Sequence, residues 1–271
     1  ARDEYDRLKP MGKQCPVYEN RGCRYTRTTG IWQTVWMEPV SQLFMQRPRI
    51  TPVVSENAFR ISAPLRGDAR GASLKATLWD EENKIATTEI AADDMFQPEC
   101  TLSIPKEKVK LWSPERPFLY DILIELFDAK GEICDTAKMY GGLRGTFLSG
   151  KGFYINGKPV FQRLILDQGY YPDGIMTAPS DEALQKDIAL SMKAGFNGAR
   201  LHQKIFEERF LYHADRMGYL VWGEFADWHI EQKYRPVHMD TLALFVNEWM
   251  EVIERDYSHP SVIGWCPLNE V

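Results

Sequence analysis

Four places in the second half of this 271-residue chain set ionisable side chains directly after a short apolar run. Asp167 follows the run 160–166. Arg200 and His202 end the run 196–201, Glu224 and Asp227 follow 219–222, and Asn269 and Glu270 follow 261–265. If these runs are parallel strands of one barrel, their C-terminal ends share a single opening and the side chains converge there. Converging carboxylates in unlike environments are suited to general acid and base work. Glu270 is the most suggestive acid, because it stands just beyond the apolar stretch 262–268, placed to protonate a leaving group if its pKa is raised. Trp222 and Trp265 offer the apolar wall that raises it, or the flat face on which a sugar ring stacks; either is equally suited to the core. Arg200 leaves an apolar strand, where an unpaired guanidinium is expensive to bury, so a carboxylate partner is expected whatever the function.

Blander roles compete at three of these positions. Asp167 also reads as a surface-loop acid, His202 as a structural histidine and Asp227 as a helix cap or solvated acid. His213, His229, His238 and His259 have no regular ligand spacing and no HExxH occurs, so no metal is expected.

The elements that must carry these residues alternate in type. Ser180 is a plausible N-cap with Glu182 behind it; Leu184, Ile188, Leu190 and Met192 then lead to a stop at Gly195. A second helix is predicted over 206–217, ended by Gly218, and a third over 242–255 with Leu242, Phe245, Val246, Trp249, Val252 and Ile253 on one face. With strands at 160–166, 196–201, 219–222 and 261–265, this is repeated βα units and hence a helix-covered parallel sheet. A full (β/α)8 barrel needs roughly 250 residues, so half a barrel fits better. A dinucleotide fold is disfavoured, since Leu166-Asp167-Gln168-Gly169-Tyr170 offers no GxGxxG.

Before about residue 150 the pattern is all-β. Strands are predicted at 31–38, 49–54, 58–63, 72–79, 85–90, 99–104 and 119–127. Ser73, Lys75 and Thr77 alternate with Leu74, Ala76 and Leu78, one face wet and one buried. Residues 80–84 suit a turn, and Asp128-Ala129-Lys130-Gly131 suits another in which Gly131 supplies the positive φ. Such strands in a hundred residues argue for a sandwich.

Composition removes whole classes. Lys and Arg total 33 against 38 Asp and Glu, a net charge of −5, with no basic run to hold a nucleic-acid backbone. No stretch approaches 18 uncharged apolar residues, so no membrane helix is expected. The five cysteines form no zinc spacing and read as free thiols; a Cys15–Cys23 bridge is possible but not required. The opening ARDEYDRLKP has no apolar core and is not a signal peptide; it reads like the middle of a chain.

Several segments together resemble glycoside hydrolase family 2, which contains β-galactosidases, β-glucuronidases and β-mannosidases. They are the stretch 30–38 (GIWQTVWME), Asn156-Gly157-Lys158-Pro159-Val160, Phe196-Asn197-Gly198-Ala199-Arg200, and the stretch 255–265 leading to Asn269-Glu270. The resemblance covers essentially the whole chain. It implies the end of a jelly-roll sugar-binding domain (1–40), an immunoglobulin-like β-sandwich (41–146) and the first half of a TIM barrel (147–271). It further implies Glu270 as general acid/base and Asn269 as the holder of the sugar 2-hydroxyl. Arg200 would brace the active-site carboxylates, and Glu224 matches the acid ending the third strand. Asp167, His202, Trp222 and Trp265 complete the candidate substrate-binding set on their positions at or near the strand ends. The implied partner is a carbohydrate substrate, with no nucleic acid, no membrane and no organic cofactor. Two loops depart from the family pattern: Leu166-Asp167-Gln168-Gly169-Tyr170 stands where many members have Asn-Arg-His, and Arg200-Leu201-His202-Gln203 where they have Arg-Thr-Ser-His. Both shape the subsite for the terminal sugar. The family's nucleophile comes from a later strand, and no acid in 150–269 matches it, so these 271 residues are expected to be inactive alone. Open sheet edges predict low stability or self-association, including a homo-oligomer. The alternative reading is a catalytically idle carbohydrate-binding or scaffold protein of the same fold.

Overall fold

The computed structural model describes residues 9–15, 17–28, 30–93, 95–150, 152–228 and 239–270. His229, His238 and most of the ARDEYDRLKP opening lie outside them. The chain forms two compact units, one of residues 37–161 with 257–260, the other of 1–36, 162–256 and 261–271.

The first unit is built on two antiparallel sheets. Its strands are β1 (Phe44–Met45), β2 (Arg49–Val53), β3 (Ala58–Ser62), β4 (Leu65–Arg66), β5 (Ser73–Asp80), β6 (Asn83–Ala91), β7 (Glu99–Ser103), β8 (Tyr120–Phe127) and β9 (Ile133–Gly141). One sheet runs β2-β3-β7, the other β6-β5-β8-β9, and β1 pairs with β4. Strand alternation makes the core. Leu74, Ala76 and Leu78 of β5 sit opposite Leu126, Ile124 and Ile122 of β8. Phe59 and Ile61 of β3 face Leu102 and Cys100 of β7. All ten belong to one buried apolar cluster, so the inner faces of both sheets share a core. The turn after β8 is held by Asp128, whose Oδ1 accepts the amides of Lys130 and Glu132, with Gly131 at φ +80°. Cys15 and Cys23 are free thiols, not a bridge.

The predicted strand at 31–38 does not form. Ile31, Val35, Trp36 and Met37 are exposed there, and no described strand pairs with them. Apolar residues alone do not make a strand; its backbone groups need a ladder partner. Conversely β9 escapes sequence reading because it is an edge strand interrupted by Asp135, Thr136 and Lys138. Beyond it β10 (Thr146–Ser149), β11 (Gly152–Ile155) and β12 (Lys158–Pro159) form a small antiparallel sheet.

Tyr120 is fully buried at the start of β8. Its hydroxyl donates to the Lys108 carbonyl and accepts the Lys110 amide, both at 2.7 Å. Burial raises its pKa. Tyr120→Phe removes one oxygen and strands a donor and an acceptor. It is expected to cost about 1–2 kcal/mol in urea unfolding; an unchanged midpoint would show that water satisfies both groups.

The second unit carries a parallel sheet in the order β13 (Leu164–Asp167), β14 (Gly198–Leu201), β15 (Leu220–Glu224), β16 (Val262–Cys266). Between them run α1 (Asp181–Lys193), α2 (Glu208–Met217) and α3 (Met239–Asp256). Ser180 caps α1 by accepting the Ala183 amide at 3.2 Å, and Gly218 ends α2 at φ +73°. The first strand begins at Leu164, later than the apolar run suggests. Leu184 and Ile188 of α1 and Phe210, Leu211 and Ala214 of α2 pack on Ala199, Leu201, Val221 and Val262. Strand alternation therefore turns Arg200, Trp222 and Glu224 away from the helices. A register shift between Val221 and Trp222 resets the pairing, so that Gly264 lies opposite Trp222 and Trp265 opposite Gly223. Each glycine makes room for the tryptophan on the neighbouring strand: a Cβ on either would lie 2.7 Å from that ring.

Candidate functional site

The ends of β14 and β15 and the residues after β16 build one polar network inside the second unit. Its centre is Glu224, whose side chain is wholly buried. Oε1 of Glu224 meets His202 Nδ1 at 2.8 Å and accepts the Gln203 amide at 3.0 Å. Oε2 lies 3.0 Å from Arg200 Nε, an ion contact without hydrogen-bond alignment. Arg200 Nη2 donates to Asn269 Oδ1 at 2.9 Å and lies 3.0 Å from His202 Nδ1. One nitrogen cannot donate and accept along both lines. A proton on Nδ1 serves the carboxylate, and Arg200 then directs its hydrogen to Asn269. The carboxylate partner expected for Arg200 is thus Glu224.

Asp227 extends the network. It is fully buried, and its Oδ2 accepts the Asn269 backbone amide at 2.6 Å. Its other oxygen accepts from the Gln203 side-chain amide, and Gln203 Oε1 takes the Asp227 amide at 3.2 Å. Burial pushes the Asp227 carboxyl above the ordinary range, while the Asn269 and Gln203 hydrogen bonds pull it back down. Asn269 is thereby held twice, by backbone and by side chain. The next residue, Glu270, is exposed and at φ +61°. Non-glycine residues seldom adopt that conformation, which costs of order 1 kcal/mol and persists where the surroundings impose it.

Two predicted members lie elsewhere. Asp167 pairs with Leu201, which faces the helices, so its side chain belongs to the helix-covered side. It accepts the Gly169 amide at 2.9 Å, and burial raises its pKa. Only its backbone touches the network's strand, accepting the His202 amide at 2.7 Å. Trp265 is core: it packs edge-on to Trp249 of α3 at 5.5 Å, against the cluster of Phe225 and Phe245. The register shift in β16 puts it there. Trp222 does stand on the open face of the sheet, its Nε1 donating to Gln162 at 2.8 Å. Trp228, next to Asp227, carries the Lys13 ammonium 3.9 Å above its ring. Gln203 was missed as a site residue. Its signal is a polar side chain directly after a buried strand, and its φ of +55° marks the turn that aims it at Asp227.

A sheet-bound carboxylate–arginine–histidine network ahead of an exposed glutamate is a layout for handling protons at a strand mouth. Residues 43–144 match the model of the family described as Glycosyl hydrolases family 2. Over 98% of its length the chain is 28% identical to a β-glucuronidase of Paenibacillus borealis, and it covers 44% of that protein. A β-galactosidase of Thermoanaerobacter pseudethanolicus is 24% identical over 89% of the chain, which covers 32% of it. In fold, 93% of the chain matches a glycosyl hydrolase family 2 member from Bacteroides cellulosilyticus. That match has a TM-score of 0.78 at 23% identity and covers 34% of the larger protein. The family match lies in residues 43–144, and the chain spans less than half the length of these relatives.

Proposed function

We propose that the protein is a retaining β-glycosidase that removes a terminal sugar, with Glu270 as its acid/base. The observation that carries this reading is the double hold on Asn269, which fixes the backbone immediately before an exposed glutamate. Glu270 protonates the glycosidic oxygen while a carboxylate from polypeptide outside these 271 residues attacks the anomeric carbon. Glu270 then takes the proton from the water that releases the sugar. Asn269 holds the sugar 2-hydroxyl, Arg200 and Glu224 brace the strand ends, and His202 and Trp222 line the mouth. The parallel unit is then the first half of a (β/α)8 barrel, the antiparallel unit an immunoglobulin-like sandwich and the N-terminal stretch the end of a jelly roll.

The substrate is a β-galactoside or a close relative. A β-glucuronide is the second reading, favoured by the Paenibacillus borealis relative that aligns with nearly the whole chain. The test is a panel of aryl β-galactoside, glucoside, mannoside, glucuronide and galacturonide, assayed with the whole protein. Release of one sugar with retained configuration supports the proposal, and hydrolysis of none overturns it. The 271 residues alone are expected to show no turnover; normal turnover would mean that the nucleophile lies among them.

A further inference from the structure

Residues 11–15 and 24–25 belong to the second unit and lie against the loops that follow β14 and β15. The Trp228 amide donates to the Met11 carbonyl at 3.0 Å. Gly12 packs on the turn after β14, where a Cβ would strike the Gln203 backbone oxygen. The Tyr25 amide donates to the Lys13 carbonyl at 2.9 Å, which ties the two stretches together. Gln203 and Trp228 are also the neighbours of Asp227, one through hydrogen bonds and the other in the chain. The stretches therefore border the network that holds Asn269.

Two cations meet on one ring there. Lys13 is 5% exposed, and its Nζ stands 3.9 Å from the centre of the Trp228 ring. The Arg24 guanidinium stands 5.1 Å from the same ring centre. Among the described residues neither cation has an ion pair, and Lys13 Nζ has no hydrogen-bond acceptor. Arg24 Nη1 reaches the Gln14 carbonyl at 3.4 Å and Met11 Sδ at 3.8 Å. Asp227 does not serve them: its carboxylate oxygens are taken by the Asn269 amide and the Gln203 side chain. The ring attracts both charges. The ammonium still has three donors to place, and two like charges beside one ring repel. A single anion accepting from both side chains satisfies the donors and cancels the repulsion.

We propose that Lys13 and Arg24 bind an acidic group, a carboxylate or a sulfate ester, on the carbohydrate that enters the mouth. The proposal rests on the glycosidase reading for its ligand and adds to it the charge that the substrate carries. Both side chains touch the substrate and neither takes part in bond breaking, so they select rather than catalyse. The Lys13 stem is already buried and its head already seated on the ring, so little side-chain freedom remains to be lost when the anion arrives. Across the whole chain acids outnumber bases, 38 to 33, so the attraction is a local one.

The test is calorimetric binding to the whole protein of glucuronate, galacturonate and galactose 6-sulfate, each against its neutral sugar. At least one acidic sugar is expected to bind about tenfold tighter than its neutral counterpart, and added salt to erode that ratio. A response to a uronic acid alone identifies the carboxylate, and one to galactose 6-sulfate alone the sulfate ester. In Lys13→Met and in Arg24→Gln the ratio is expected to fall below about twofold. Equal binding of acidic and neutral sugars, binding of none, or a ratio that survives both substitutions together overturns the proposal. Should Lys13→Met not fold, Arg24→Gln decides alone: a fallen ratio supports the site and an unchanged one overturns it. No turnover is read, so the two readings fail separately. Hydrolysis of neutral glycosides beside equal binding removes this site and leaves the glycosidase, whereas acid preference without hydrolysis of any glycoside does the reverse.

Discussion

If the proposed role holds, replacing Glu270 by Gln is expected to slow the whole protein on β-glycosides with poor leaving groups by about 10²–10⁴-fold, while activated aryl glycosides lose far less in the glycosylation step. The asymmetry is the informative part. An alkoxide leaving group needs a proton in the transition state, and a nitrophenolate does not. A loss of 10²–10⁴ corresponds to about 3–5 kcal/mol of barrier, the amount a positioned acid supplies. Because the proposed mechanism needs Glu270 protonated while the nucleophile is ionised, the wild type is expected to show a bell-shaped pH profile whose alkaline limb disappears in Glu270→Gln. Exposure of Glu270 is consistent with a group that must exchange its proton with substrate and water in turn. Equal losses across leaving groups would remove Glu270 from the acid/base role and leave it a residue that shapes the mouth.

The sandwich was legible in the sequence because period-two alternation is a local signal. Ser73, Lys75 and Thr77 against Leu74, Ala76 and Leu78 read out one wet and one dry face, and β5 has its apolar residues buried accordingly. Helix α1 was legible for the same reason, its Ser180 cap and its apolar spacing lying within one segment. The failures share a cause, which is dependence on a partner strand. The run 31–38 has the composition of a strand but no ladder, and β9 has a ladder but an edge-strand composition. At the strand ends, Arg200, His202, Glu224 and Asn269 share one network in the structure, as consecutive parallel strands imply. Position at a strand end cannot say which face a residue takes. Asp167 faces the helices because its register partner is Leu201. Trp265 does so because one register shift alters the alternation along β16. Gln203 was hidden because its role depends on a left-handed turn that no residue type announces.

Glu224→Gln is expected to destabilise the parallel unit by about 2–4 kcal/mol. Breaking a buried ion pair from one side typically costs 3–5 kcal/mol, and the one-third exposure of Arg200 lets water recover part of it. Glutamine keeps the shape of the side chain but can accept through only one oxygen. It therefore cannot serve Arg200, His202 Nδ1 and the Gln203 amide together. What remains is a guanidinium held only by a neutral asparagine oxygen. Arg200→Met makes the reciprocal cut and leaves a wholly buried carboxylate with His202 and one amide. Joining the two substitutions removes both charges, and buried pairs replaced by uncharged groups often lose little. Urea unfolding of the two single variants and the double should then show a coupling of about 1–3 kcal/mol, the double costing less than the sum. Additivity within about 0.5 kcal/mol would mean that Arg200 and Glu224 act separately. Arg200 would then hold Asn269 Oδ1 without help from Glu224.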